Sequence, residues 1–348
     1  MEIPLYGYIF TFMASLLFVG VLTPRIREYA IQREIYDRPS SSHKTHSNPV
    51  PYLGGISIII GVSFLSLFGT FLVSREQLGL ILGVLLPSIF LGIVGLVDDI
   101  LGLEPFPRLI AQTLVGIVVA TILIMTKTVG SPTGSSTVDA LITVFFIVCL
   151  SNSINFFDNI DGGASGTVAI ATVVLAILAI QSSQTYVAAL SALICGSTLG
   201  FLWWNKSPAR IYMGDAGSLF LGSLLAALLV RFEPNPITAG SSYFVPVFLV
   251  AIPLLDTFVV ITSRIYRGIS PLKGGRDHLS HRLMRKGFSK ISAVLTLWSL
   301  AGIYGGLALT LSNVNYAQER EIILIGGFLW LALYLVFMKI PAADTRED

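Results

Sequence analysis

Apolar runs long enough to cross a bilayer recur along the whole chain, and no other feature restricts its folding as severely. They fall near 4–23, 52–73, 78–97, 107–126, 138–151, 165–181, 185–204, 216–231, 243–262, 291–311 and 320–340, eleven in all. The hydrocarbon core of a bilayer asks for roughly 17–25 apolar residues per crossing helix. Inside it the backbone must satisfy its own hydrogen bonds, which leaves helices or a closed barrel. The runs lack the alternation of barrel strands. Charged residues make up 12% of the chain and hydrophobic residues 54%, about half the charge that a soluble domain carries. A soluble enzyme, a disordered chain and a disulfide scaffold are excluded. Cys149 and Cys195 both lie in apolar runs and read as small core residues. The expectation is one polytopic all-α membrane domain over residues 1–348, with about eleven helices. The first run has no basic n-region and no small-residue cleavage site, so it reads as an uncleaved helix. The run at 138–151 is short and is expected to begin or end inside the protein.

Eleven spans place alternate loops on opposite sides. The loops at 24–51, 98–106, 152–164, 205–215 and 263–290, with the tail and the flanking Arg108, hold eighteen of the 22 Lys and Arg residues. Positive charge stays inside, so these loops read as cytoplasmic and the N-terminus as external. The four histidines, His43, His46, His278 and His281, fall on the same side. So do Asp98, Asp99, Asp158, Asp161, Asp215 and Asp277. Topology explains the cations but not the aspartates, because acidic residues contribute little to orientation.

Four segments on that side carry chemistry. Asp98-Asp99 closes the third span, where two carboxylates oppose each other and the helix dipole; a cation would relieve them and leave one able to act as base or nucleophile. Asn152, Asn155, Asp158 and Asp161 follow at i, i+3 spacing, a ladder of amides and carboxylates on one helical face. Asn205 through Ser218 holds Tyr212 and Asp215 among glycines, a setting suited to a diphosphate at a helix N-terminus. The loop 263–290 holds Arg276, His278, His281 and Arg282, a dense pattern that can grip phosphate. Asp256 lies inside the ninth span and needs a partner, such as a cationic loop residue. No Walker lysine loop, dinucleotide-binding glycine motif or serine nucleophile elbow is present. A surface rich in carboxylates and cations suits Mg²⁺ or Mn²⁺, hard ions often shared with substrate phosphates. This is phosphate chemistry at a membrane face, with a soluble donor and a lipid acceptor. The competing class is a transporter, but transporters gather polar groups near the midplane rather than at one face. The net charge of +2 gives no reason to expect a nucleic-acid partner.

From Asp37 to Arg282 the chain resembles the polyprenyl-phosphate N-acetylhexosamine-1-phosphate transferases (glycosyltransferase family 4). The resemblance rests on motifs that occur in order. They are Asp37-Arg-Pro with His43-Lys44-Thr-His46 and Gly54-Gly55; Asp98-Asp99; Asn152, Asn155, Asp158 and Asp161-Gly162; Asn205 with Met213-Gly214-Asp215 and Gly217-Ser218; Pro253 with Asp256-Thr257; and His278-x-x-His281-Arg282. It implies transfer of a sugar-1-phosphate from a UDP-N-acetylhexosamine to undecaprenyl phosphate in a bacterial plasma membrane, releasing UMP. It implies Mg²⁺ held by Asp215 and Asp158, with Asp98 or Asp99 as the catalytic carboxylate. Asn155, Asp161, Asn205, Tyr212, His278, His281 and Arg282 would hold the nucleotide sugar, and Lys44 and Arg276 the phosphates. The His-x-x-His-Arg pattern looks more like the GlcNAc-1-phosphate branch than the phospho-MurNAc-pentapeptide branch, and a homodimer is compatible with it. His43 stands where arginine is common, and Asp158-Asn-Ile-Asp161-Gly-Gly163 replaces the commoner Asp-Gly-Leu-Asp-Gly-Leu; both departures bear on which UDP-sugar is used.

Overall fold

The computed structural model describes residues 3–37, 50–73, 78–130, 133–234, 238–272, 274–314 and 316–342. Among them are thirteen helices: α1 (Leu5–Gln32), α2 (Gly54–Val73), α3 (Leu78–Leu101), α4 (Pro105–Met125), α5 (Ser136–Phe157), α6 (Gly163–Gln181), α7 (Thr185–Asn205), α8 (Gly214–Arg231), α9 (Ala239–Leu249), α10 (Ala251–Tyr266), α11 (Leu279–Arg285), α12 (Lys290–Leu311) and α13 (Tyr316–Lys339). One antiparallel strand pair, β1 (Tyr36–Asp37) with β2 (Val50–Pro51), sets Tyr36 opposite Pro51. Among the described residues ten helices are each long and apolar enough to cross a membrane, and α9 with α10 forms a bent pair that brings the number to eleven if it is one span. The protein is an all-α, multi-span membrane protein.

Burial sorts the helices. α6, α7 and α8 are buried along most of their length, and α1 and α13 run at the periphery. The outward surface is apolar, with Phe10, Phe64, Phe90, Phe145 and Phe328 exposed. That arrangement is unfavourable in water and natural in lipid.

Two spans differ from the sequence reading. The segment 138–151 belongs to a full crossing of 22 residues, α5, which continues through Asn152 and Asn155 to Phe157. Its polar last turn hides this length from hydropathy. The segment 243–262 is not one helix: α9 and α10 meet at an angle of 74°. Val250 at the joint has φ −120° and ψ 19°, outside helical geometry. Pro253, three residues on, has no N–H for the carbonyl of Leu249 and its ring crowds that position. The bend redirects α10, and with it Asp256 and Arg264, toward the end of the bundle where the aspartates lie.

Candidate active site

The site forms where four helix ends meet. α3 ends in Asp98 and Asp99, α5 ends in Asn155, and α8 begins at Gly214 and Asp215. The first turn of α2 fastens the loop before α8: Gly54 N–H donates to Tyr212 O (2.9 Å) and Gly55 N–H to Met213 O (2.8 Å). Gly214 turns the chain into α8 with φ +73°. A β-carbon there would stand 2.6 Å from Asp99 Oδ2 and 2.7 Å from Tyr52 O, so only glycine fits.

The carboxylate pair has two different tasks. Asp99 accepts hydrogen bonds from Asp215 N–H (2.9 Å) and Ala216 N–H (3.1 Å), capping α8 from a neighbouring helix. Asp98 is buried, accepts from Leu103 N–H (2.7 Å) and pairs with Arg108. The same Arg108 nitrogen, Nη1, lies 2.8 Å from Asp215 Oδ2. The other oxygen of Asp215 accepts from Asn155 Nδ2 (2.8 Å), which also reaches Ser218 Oγ (3.0 Å). The repulsion expected between two carboxylates at the end of α3 is therefore offset by a helix N-terminus at one and a guanidinium at the other.

Asp99, Asn155 and Asp215 border a cavity of about 380 Å³; Asp98, expected as a candidate catalytic carboxylate, does not line it, because it is buried against Arg108. Asp99, Asp158, Asp161 and Asp215 line it with Asn155, Tyr52 and Tyr212, and Arg276, His281 and Lys290 line it as well. Burial pushes the Asp158 carboxyl well above the usual carboxylate range, and the charges of Asp215, Asp99 and Asp161 push it further. Burial also lowers His281, from its ordinary 6.5 to about 3, with the nearby His278, Arg285 and Arg276 adding to the effect. His281 is therefore a neutral ring at physiological pH.

The asparagine–aspartate ladder does not share one face. Successive i+3 steps on an α-helix drift by about 60°, and the chain leaves the helix after Phe157. Asn152 faces α4 and exchanges amide hydrogen bonds with Gln112 (2.6 and 3.3 Å). Asp161 accepts from Ala209 N–H (3.1 Å) in the loop before α8. Asn205 is buried: it accepts from Gly162 N–H (3.1 Å) and Ser165 Oγ (3.0 Å) and donates to Ile211 O (3.1 Å). It ties the start of α6 to the loop that carries Tyr212, and it also borders the cavity. Lys44, with His43 and His46, lies outside the described residues.

Comparison with known proteins adds the relationship that geometry alone does not. The sequence model of glycosyl transferase family 4 matches residues 81–233. A phospho-N-acetylmuramoyl-pentapeptide-transferase of Bacillus velezensis is 30% identical over 316 residues, covering 86% of this chain and 94% of the relative. The chain belongs to glycosyl transferase family 4. A protein of Bacillus subtilis named "Probable undecaprenyl-phosphate N-acetylglucosaminyl 1-phosphate transferase" is 28% identical over 334 residues, covering 94% of this chain and 88% of its own length. An undecaprenyl-phosphate alpha-N-acetylglucosaminyl 1-phosphate transferase of Yersinia pestis is 28% identical over 345 residues, covering 94% and 87%. A member of this family is a transferase. The family match spans α3 to α8 and so takes in Asp98, Asp99, Arg108, Asn155, Asp158, Asp161, Tyr212 and Asp215.

The rest of the cavity comes from the loop before α11, from α11 and from Lys290 at the start of α12; α10 does not line it but holds that loop through an ionic frame. Asp277 is buried between Arg264, which holds both of its oxygens (2.7 and 2.9 Å), and Arg267 (2.7 Å). Burial favours its protonation, but the hydrogen bonds and charge of Arg264, with His278 and Arg267, bring it down to about 2. Asp256 is fully buried on α10 and accepts from His278 Nδ1 (2.7 Å) and Leu279 N–H (2.7 Å). The intramembrane carboxylate thus has the loop partner that its depth demanded, and it starts α11. The side chains of α11 then diverge. His281 borders the cavity. His278 packs edge-on against Phe156, and Arg282 is buried with its nitrogens on the carbonyls of Asp277 (2.8 Å), Phe337 (2.9 Å) and Ile340 (2.6 Å). His278 and Arg282 do not line the cavity.

Arg108, Lys290, Tyr52 and Asn159 belong to the site and were not among the residues expected there. Arg108 had a signal: a cation ten positions after Asp98, at the start of an apolar helix. Asn159 joins two loops, donating to Phe156 O (2.5 Å) and accepting from the Ser280 hydroxyl.

Proposed function

We propose that this transferase moves N-acetylglucosamine-1-phosphate from UDP-N-acetylglucosamine to undecaprenyl phosphate in a bacterial cytoplasmic membrane. The observation that carries the reading is the cavity itself. It holds four carboxylates together with Arg276, Lys290 and neutral His281, at the end of an apolar bundle. A nucleotide diphosphate and a lipid phosphate are both anions, and a site for them must align them and absorb their charge. An oxygen of the acceptor phosphate attacks the β-phosphorus of the donor. The bond from that phosphorus to the bridging oxygen breaks, and UMP leaves with the electron pair. One phosphoanhydride replaces another.

Mg²⁺ suits the residues present. Asp99, Asp158, Asp161 and Asp215 offer hard oxygen donors around the cavity, and Mg²⁺ is often held by one or two carboxylates plus substrate phosphates. Asp215 and Asp158 are the protein ligands in this reading; the mutual repulsion around Asp158 favours a cation there. When bound, the ion neutralises charge on the diphosphate. Arg108 balances the charge of Asp98 and Asp215 from beside the cavity, and Arg276 and Lys290 would hold anionic oxygens of the substrates. Asn155 orients Asp215. Tyr212 offers a ring for the uracil. Asp99, which lines the cavity where Asp98 does not, is the catalytic carboxylate in this reading, although a phosphate monoester with a second pKa near 6 needs little help to lose its proton at neutral pH. The GlcNAc donor is preferred over UDP-MurNAc-pentapeptide on the His278-x-x-His281-Arg282 pattern, and two GlcNAc-1-phosphate relatives align with 94% of this chain. The cavity would face the cytoplasm, on the side of the eighteen cations.

The test is UMP release by purified protein with undecaprenyl phosphate and Mg²⁺, offered UDP-GlcNAc, UDP-GalNAc and UDP-MurNAc-pentapeptide in turn. Release with UDP-GlcNAc, lost in Asp215→Asn, is the expected result. Release with UDP-MurNAc-pentapeptide alone would move the protein to the other branch.

A further inference from the structure

Where α1 meets the end of α7 and the loop after it, Arg27, Lys206 and Arg210 are gathered without a paired carboxylate among the described residues. Arg27 on α1 donates through Nε to the backbone carbonyl of Arg210 (2.9 Å), which brings two arginines to one corner. The Arg210 guanidinium lies over the ring of Trp204 (5.6 Å), and the Lys206 ammonium over that of Trp203 (3.8 Å). Among the described residues none of the three makes an ion pair; Glu28, next on α1, is exposed and does not pair with them. Unpaired cations at one corner attract an anion that can reach them.

The corner is built by close helix packing. Gly20 faces Gly200 across α1 and α7, at a distance where a β-carbon on Gly20 would be 3.8 Å from the Gly200 carbonyl. The Trp204 indole N–H donates to Gly20 O (2.9 Å), which locks the end of α7 to α1. Trp203 stands 64% exposed at the end of that membrane helix, where an amphipathic ring belongs at the boundary between hydrocarbon and headgroups. Leu17 and Val21 of α1 are exposed apolar side chains. The chemistry is thus cationic at headgroup depth, with an exposed aromatic ring, and α1 adds apolar side chains.

We infer that this corner binds the phosphodiester headgroup of an anionic membrane lipid. Arg27, Lys206 and Arg210 take the phosphate, and the acyl chains run down the outward side of α1. Guanidinium and ammonium groups match phosphate oxygens, and depth selects a lipid over a soluble phosphate. The site also has a purpose for the transferase. The loop from Lys206 to Tyr212 joins the corner to the cavity: it holds Asp161 through the Ala209 N–H (3.1 Å) and meets Pro51 through the Tyr212 N–H (2.8 Å). A headgroup on Lys206 and Arg210 braces that loop.

Binding is measured on the full chain in detergent by native mass spectrometry and by the thermal unfolding midpoint, with added phosphatidylglycerol, phosphatidylcholine or inorganic phosphate. The expected result is a retained phosphatidylglycerol and a raised midpoint with that lipid alone. Each cation removed, in Lys206→Gln and in Lys206→Gln/Arg210→Gln, weakens the binding about fivefold, with lipid-free midpoints unchanged. Lys206→Gln touches only the face of Trp203, so it reports on binding even if the double variant folds poorly. Equal retention of phosphatidylglycerol by the wild type and Lys206→Gln would overturn the inference. So would equal stabilisation by phosphatidylcholine, which needs no anion site, or by inorganic phosphate, which needs no membrane.

Discussion

Asp99 accepts the backbone N–H of Asp215 at 2.9 Å, so one carboxylate of the site caps the helix that carries another. The position of Asp215 is therefore set through the backbone, independently of the ions its side chain meets. It also gives Asp99 a structural task beside any chemical one, and the two can be separated by substitution. Asp99→Ala removes both acceptors at the start of α8 and is expected to cost about 1–2 kcal/mol of stability. Asp99→Asn keeps one acceptor and should unfold close to the wild type. Both should lose UMP release, measured beside the unfolding midpoint; an active Asp99→Asn would leave only the structural task.

Arg108 joins Asp98 to Asp215 through a single nitrogen. Arg108→Ala leaves two carboxylates facing each other without a cation and is expected to lower kcat about 10²-fold or more, in line with removal of one positioned charge from a reacting anion. Arg108→Lys keeps the charge but not the planar fork and should fall between. Steady-state kinetics on the three proteins decides it, and wild-type rates in Arg108→Ala would remove Arg108 from the reaction.

His281 and Asp277 make stability depend on acid in two separate windows. His281 titrates near 3 in the fold and near 6.5 when unfolded. The unfolded chain thus binds more protons between those values, and stability falls as pH drops from about 6.5 toward 3. Asp277 titrates near 2 in the fold against 3.8 ordinarily, so its contribution is complete above about 4 and is lost as pH falls toward 2. Unfolding midpoints from pH 8 to pH 4 should decline in the wild type and decline less in His281→Gln. Parallel curves would show that the ring is protonated at no cost.

Asp256 holds a histidine and the first N–H of α11 from inside the bundle. Asp256→Leu strands both donors and is expected to cost about 3 kcal/mol. Asp256→Asn keeps an oxygen for Leu279 N–H and should cost less. Because α11 carries His281 to the cavity, Asp256→Leu should also raise KM for the UDP-sugar, whereas an unchanged KM in a folded variant would separate α11 from donor binding.

Removal of divalent metal should abolish UMP release, and Mg²⁺ should restore it. Asp158→Asn and Asp215→Asn should each raise the Mg²⁺ concentration needed for half-maximal rate, read from metal titrations. A Mg²⁺ requirement unchanged in both variants would place the ion on other residues.

Hydropathy and residue order by themselves determined that this chain crosses a membrane about eleven times, and they pointed to Asp98, Asp99, Asp158, Asp161 and Asp215 as the polar residues that lipid and topology do not explain. A crossing is legible because burial in hydrocarbon is settled within one stretch of some twenty residues. The length of α5 was the exception, since its last turn trades apolar residues for Asn152 and Asn155. The tertiary structure decided what no local window contains. Asp99 lies 116 positions from the N–H that it caps, and Arg108 lies 107 from Asp215. The bend at Val250 turns Asp256 toward His278, and Arg282, indistinguishable in sequence from a phosphate ligand, is buried with Nη1 on the carbonyls of Phe337 and Ile340 and Nε on that of Asp277. Such assignments depend on which helix ends meet and at what angle, and that is fixed by packing among helices that are each apolar on nearly every side.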